Sequence, residues 1–474
     1  MHNTTPIGFY TRAAVIALAL ITSAIGIYSV FNLNAIYAAA GLASLLVVLF
    51  PFLFIKSYDW FSTWTSVIIV VIYGGTAPAI CMSLRWPDAV YVDEHILLNH
   101  PPEYFVYPSL LLLLGLAFCA IGYFSRLRLP VPVFALDRQY SLSRTYLVIG
   151  LLAIVSIGSL ALYIRFTGGQ SEETVISGKR TVIRTLDVQN EKDFSQYGYL
   201  RQGALLSLTC LLVLMSAWTE RFSRLSVPRI AVLSFLFLVS CALPFYSSSR
   251  DQIVWNYWCT IGVLYYSGRP VFSGRSLAVL VGVVGVILFI SAVRNERSDS
   301  TPFLEKMNSK LTPLLLNRHG PNVAKTAHIL HSVPNPLGLK YGETIYVWLL
   351  APIPREILPN KPMVSPGPII GMEVYGTKFS GVPPGLVAEM FWNFHIVGIV
   401  LGCFLFGLFL RFVYEVFRAI RTDDGVVTPV YLFAMFPLGF QVLNNCLGGG
   451  VVMAMVDMVM SGFVVLLCTV RTRR

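Results

Sequence analysis

Charge is scarce in this chain. Asp, Glu, Lys and Arg together make up 12% of its residues, against about 25% in an ordinary soluble domain. That shortage excludes a normally solvated globular surface. The signatures of nucleotide and metal chemistry are missing too: there is no CxxC pair, no Asp-x-Asp pair, no Walker loop, no nucleophile elbow and no dinucleotide fingerprint. A nucleotide-using enzyme and a cysteine–zinc site are disfavoured, and neither a cofactor nor a metal is expected. The cysteines (Cys81, Cys119, Cys210, Cys241, Cys259, Cys403, Cys446 and Cys468) fall in or beside apolar stretches and read as buried small hydrophobes, not disulfide partners. The alternating strands of a membrane β-barrel are absent, as are internal repeats and low-complexity tracts.

What is present is apolar: 55% of the 474 residues are hydrophobic. Runs long enough to cross a hydrocarbon core of about 30 Å recur along the whole length. They predict an all-α, polytopic membrane domain over 1–474, with about twelve transmembrane helices near 13–31, 35–55, 61–82, 106–124, 146–165, 202–219, 230–246, 252–267, 276–293, 393–411, 427–447 and 449–469. The first run lacks a small-residue cleavage site and reads as a retained helix, not a secretory signal.

An even count places both termini on one side, and the placement of the positive charge, +11 net, says which. Arg126, Arg128, Arg138 and Arg144 lie in one loop, Arg221, Arg224 and Arg229 in another, Arg269 and Arg275 in a third, and Arg471, Arg473 and Arg474 in the tail. The twelve-span count puts all of them on one face, which the positive-inside rule makes cytoplasmic. The positive charge therefore reads as topology and not as a nucleic-acid surface. Two long segments fall on the outer side, 166–201 and 294–392. The second holds a short apolar piece, Thr344 to Ala351, expected as a re-entrant or interfacial helix.

These outer segments carry cations that topology disfavours there: Lys179, Arg180, Arg184, Arg250, Arg294, Arg297, Arg318, Lys340, Arg355, Lys361 and Lys378. Taken singly, each is as well read as a snorkelling side chain or a partner for Glu172, Glu296, Glu343, Glu356 or Glu389. As a set they point to an anionic ligand, since guanidinium groups match phosphate oxygens bidentately. "SSSR" at 247–250 adds hydroxyls, Ser249 among them, beside Arg250. "PIPREILPNKP" at 352–362 is expected to form a stiff non-helical shelf that fixes Arg355 and Lys361. Glu389 and Asn393 are four apart and share a helical face at the mouth of the next span. Three readings of Glu389 stay open: a base, an arginine partner, or an exposed first-turn acid. Gly398, Gly402 and Gly407 are expected to allow close helix packing. His328 and His331 have a spacing metals can use, but no carboxylate cluster accompanies them.

Four blocks in order, "ISGKR" at 176–180, "PFYSSSR" at 244–250, "PIPREILPNKP" at 352–362 and "GLVAEMFWNFHIVGIVLG" at 385–402, resemble the bacterial O-antigen polymerase (Wzy) group. Two positions depart from that family's pattern: Leu358 stands where tryptophan is expected, and His395 where the family usually has glycine. The resemblance implies a GT-C-like, metal-independent glycosyltransferase of the bacterial inner membrane. It would polymerise undecaprenyl-pyrophosphate-linked oligosaccharides at the periplasmic face, with a chain-length regulator and a flippase as further partners. Arg180, Arg250 and Arg355 would surround the pyrophosphates, with Lys179, Arg294 and Lys361 in support and Ser249 and Asn393 near the substrate. Glu389 or His319 would take the proton of the attacking hydroxyl. Three rivals stand beside this expectation: an O-antigen ligase using the same donor, a transporter or flippase, although the spans read as nearly free of mid-helix charge, and a non-catalytic scaffold in the assembly machine.

Overall fold

The structure is a computed structural model describing residues 5–32, 34–84, 100–127, 130–131, 136–167, 198–222, 226–246, 250–269, 323–353, 357–358, 361–376, 382–420 and 425–471. It is built from helices with two very short β-ladders. In chain order the helices are α1 (Phe9–Ser29), α2 (Ala35–Leu49), α3 (Thr63–Ser83, with a π-turn at Val71–Thr76), α4 (Val106–Phe124), α5 (Leu142–Thr167), α6 (Gly198–Arg221), α7 (Val227–Tyr246) and α8 (Arg250–Tyr266). There follow α9 (Val323–His331), α10 (Glu343–Leu350), α11 (Gly367–Glu373), α12 (Gly385–Ala419), α13 (Thr428–Val430, continued by a π-turn at Tyr431–Met435), α14 (Leu438–Asn444) and α15 (Leu447–Cys468).

Among the described residues nine helices are long and apolar enough to cross a membrane. They follow the expected spans closely, with four differences. The expected span 276–293 lies outside the described residues. The one at 252–267 is α8, a 17-residue helix. The one at 427–447 is not continuous: it is α13, a turn and α14, broken where Pro437, which lacks an N–H, precedes α14. A fourth difference is one of boundary. The span expected at 393–411 begins earlier, at Gly385, and breaks inside itself at Phe394 and His395.

α3 and α6 run through the middle of the bundle, whereas α1 and α5 turn most of their apolar side chains outward, as a lipid-facing helix does. The tightest contact joins α4 and α12, which run parallel. A β-carbon at Gly122 would collide with the Phe404 carbonyl, and one at Gly407 with the Cys119 carbonyl. Gly407 therefore serves the close packing expected of it.

One end of the bundle is tied by polar bonds. β1 (Thr5–Pro6) pairs with β2 (Ser57–Tyr58), and β3 (Arg138–Tyr140) with β4 (Thr469–Arg471). Asp59 accepts hydrogen bonds from the Tyr266 hydroxyl at 2.9 Å and the Tyr414 hydroxyl at 2.8 Å. Tyr431 donates to the Phe61 carbonyl at 2.7 Å, Arg411 donates to the Ser125 carbonyl, and Arg269 to the Phe222 carbonyl. These bonds gather the segments that carry the arginine-rich loops. The opposite end holds the starts of α4, α12 and α15 together with α9, α10 and α11.

Candidate functional site

At that opposite end the block expected to be functional folds in two parts. The first is a nine-residue helix, Gly385 to Asn393, every residue of which is buried. The second is the long spanning part of α12. Between them Phe394 has φ −143° and ψ 26°, and His395 has φ 53° and ψ −144°. Positive φ with an extended ψ is a region that glycine alone occupies without strain. The two parts cross closely: a β-carbon at Gly398 would strike the Met390 carbonyl, and one at Gly402 the Met390 side chain. The His395 ring itself is exposed and lies edge-on to Phe391, 4.9 Å away.

Asn393 and Glu389 stack on one face of the short helix, as their spacing requires, and neither has any exposed surface. The Asn393 carbonyl oxygen accepts from the Gly342 N–H at 2.8 Å. Its amide nitrogen donates to the Thr344 hydroxyl and to the Glu389 backbone carbonyl, both at 2.8 Å. Asn393 thereby pins the helix break to the start of α10. Two bonds reinforce the joint: the Trp392 indole donates to the Gly338 carbonyl at 2.8 Å, and the Lys340 N–H to the Trp392 carbonyl at 3.2 Å.

Glu389 does something none of its three readings anticipated. Its Oε2 accepts from the Leu447 N–H at 2.6 Å, so it caps the N-terminus of α15, a helix distant in sequence. The reading as an exposed first-turn acid is overturned, because the side chain is fully buried. Among the described residues it forms no ion pair with an arginine. Its Oε1 has no hydrogen-bond partner there. In this arrangement the carboxylate reaches a substrate hydroxyl only if the α10–α15 junction parts.

The described residues of the Pro-rich block pack on the same junction; 354–356 and 359–360 lie outside the described residues. Lys361, 4% exposed, donates to the Ala351 carbonyl at 2.9 Å and the Ile353 carbonyl at 3.1 Å. The ammonium thus ties the far side of the shelf to the C-terminus of α10, where the helix dipole favours a cation. The Cys446 thiol approaches the Val364 carbonyl at 3.8 Å, which brings the residues after Lys361 against the start of α15. The apolar piece Thr344 to Ala351, expected as a re-entrant or interfacial helix, forms α10 over Glu343–Leu350, only eight residues long.

Of the ten expected site residues, Glu389, Asn393 and Lys361 come together around α10 and α15. Arg250 opens α8, at the expected helix end. Arg180, Arg355, His319, Lys179, Arg294 and Ser249 lie outside the described residues.

Sequence reasoning passed over three polar features. Asp59 is 4% exposed; burial pushes its pKa up from the ordinary carboxylate value, while the Phe61 N–H, Tyr414 and Tyr266 pull it back. Its partners lie 207 and 355 positions away, so no local spacing announces it. Asp457 is 7% exposed in the middle of α15, with Arg201 of α6 as the opposite charge within electrostatic reach. Here a signal existed: a lone acid inside "AMVDMVM". The third is a histidine–tyrosine stack at the start of α4. Among the described residues no group of three or more His, Cys, Asp or Glu side chains is placed to hold a metal ion. Compared with family models, curated proteins and solved structures, the chain matches none of them.

Proposed function

We propose that this chain polymerises undecaprenyl-pyrophosphate-linked oligosaccharide repeat units at the periplasmic face of the inner membrane. The observation that carries the reading is how the block 385–402 folds. It forms a buried helix, a break in a backbone conformation suited to glycine, and a spanning helix, and the break falls at the residue where the resembled family usually has glycine. The Pro-rich block packs on the same junction. Two ordered blocks of the resemblance therefore share one end of the bundle, opposite the end that collects the arginine-rich loops. In this reading the chain has about twelve spans in a GT-C-like arrangement, with both termini cytoplasmic.

The chemistry is a single displacement. A hydroxyl at the non-reducing end of the incoming unit attacks the anomeric carbon of the growing glycan. The new glycosidic C–O bond forms as the bond to undecaprenyl pyrophosphate breaks, and the pyrophosphate leaves with the electron pair. A base takes the hydroxyl proton; Glu389 and His319 are the proposed candidates. Arg180, Arg250 and Arg355 stabilise the charge gathering on the leaving group. Alanine in place of Arg250 or Arg355 should abolish long-chain product while the protein still inserts, and lysine should restore only part of it. A wild-type product ladder from either alanine variant would remove that residue from the mechanism. A strain lacking the gene product should still make single-unit-capped lipopolysaccharide; loss of all capping would favour the ligase.

A second reading, transport, draws on Asp457, an acid buried at mid-span. Asp457→Asn separates the two. A polymerase so changed keeps elongating a supplied lipid-linked unit; a transporter loses its flux.

A further inference from the structure

Beside the start of α4, three segments meet through rings. His100 stacks on Tyr104 with centroids 4.0 Å apart and planes 10° from parallel. Tyr104 stacks in turn on His331 of α9, at 3.9 Å and 25°. His331 Nε2 lies 2.9 Å from the Tyr104 carbonyl oxygen, which only a protonated nitrogen can satisfy as donor. His328, one turn earlier on α9, stands edge-on to His100 at 6.1 Å and against Tyr375, just beyond α11, at 4.9 Å. The Nδ1 of His328 is buried and has no hydrogen-bond partner among the described residues.

The titratable groups around His328 are alike in kind. The segment before α4 contributes His100 and Tyr104, α9 contributes His331 and, one turn before His328, Lys325, and the residues after α11 contribute Tyr375. α12, which also packs on α9, carries Glu389, but that carboxylate is turned to Leu447. Glu103 and Glu373 are exposed, and among the described residues no ion pair joins a carboxylate to any of the three histidines.

We propose that this stack is an acid-sensitive clasp, which holds α9 against the start of α4 while His328 is neutral and releases it when His328 takes up a proton. Once protonated, His328 carries an N–H on both ring nitrogens, and Nδ1 meets no acceptor among the described residues. The resulting charge would face the His100 and His331 imidazoles. Burial first, then His100 and His331, hold the His328 pKa below the ordinary histidine value. The unfolded chain therefore binds more protons than the folded one below that value. The clasp is intact above about pH 6.5 and weakens as pH falls. On the face assigned to the outside by charge, it would respond to the pH of the medium. The proposal does not depend on the catalytic reading.

Hydrogen exchange of the full chain in lipid nanodiscs tests it, at about pH 7.5 and about pH 5.5, with rates corrected for intrinsic exchange. Acid should speed exchange severalfold in peptides covering 100–107 and 323–332, and leave the Asp59 end unchanged. His328→Phe keeps a ring against Tyr375 and should erase the acid response. His331→Phe keeps the stack, removes one neighbouring imidazole and should shrink the response, which guards against a misfolded first variant. The same acid response in both variants, no response in the wild type, or equal acid opening at both ends of the bundle would overturn the clasp.

Discussion

The two ends of the bundle solve the problem of polar groups in an apolar protein in opposite ways. At the Asp59 end the buried carboxylate is fully answered: it meets two tyrosine hydroxyls and the Phe61 N–H, and Tyr431 meets the Phe61 carbonyl, while the Arg12 Nε and the Ser125 Oγ nearby have no partner among the described residues. At the Glu389 end one carboxylate oxygen and the His328 Nδ1 are buried without partners among the described residues, and His395 holds a glycine-like backbone. Satisfied networks rigidify a structure, whereas unanswered polar atoms and strained backbone gather where a protein moves or binds. The first end reads as a fixed closure, the second as the working end.

Substitutions can break or sharpen that contrast. The largest effect is expected from Asp59→Ala, which strands the buried Tyr414 hydroxyl and the Phe61 N–H and leaves Tyr266 only its longer bond to the Phe61 carbonyl; it should cost about 3 kcal/mol of stability, measured by thermal unfolding in detergent. Asp59→Asn keeps an acceptor and should cost less than half of that. Glu389→Ala removes the cap from α15 and should cost about 1–2 kcal/mol. Glu389→Gln keeps an acceptor for the Leu447 N–H and should leave the fold nearly unchanged, so any loss of polymer in that variant reports on chemistry. The smallest effect has the opposite sign. His395→Gly should raise stability by about 1 kcal/mol, since relief of the strained φ outweighs the added freedom of the unfolded chain; His395→Ala should give no such gain.

Much of this was legible. The spans follow from runs of apolar residues alone, and charge asymmetry anticipated which loops meet at one end. The four-residue spacing of Glu389 and Asn393 placed them on one face. What the spacing could not say is what that face meets. The partners of Glu389 and Asn393 lie 58 and 51 positions away, on α15 and α10, and a carboxylate's neighbours decide whether it caps, pairs or reacts. The break at His395 had a trace, because a histidine in a glycine position is a local conflict, but only the backbone shows that the conflict is conformational. The interrupted α13–α14 was hidden by hydropathy, which counts apolar residues and ignores that proline and glycine interrupt the ladder between them.

The central claim concerns glycan elongation from a lipid pyrophosphate, and reconstitution tests it most directly. Purified chain in liposomes, given a single lipid-linked repeat unit and neither nucleotide nor divalent metal, should yield products of increasing repeat number together with free undecaprenyl pyrophosphate, and Arg355→Ala should yield neither. Units that remain single with the wild-type chain, in liposomes where the protein is folded, would contradict the account.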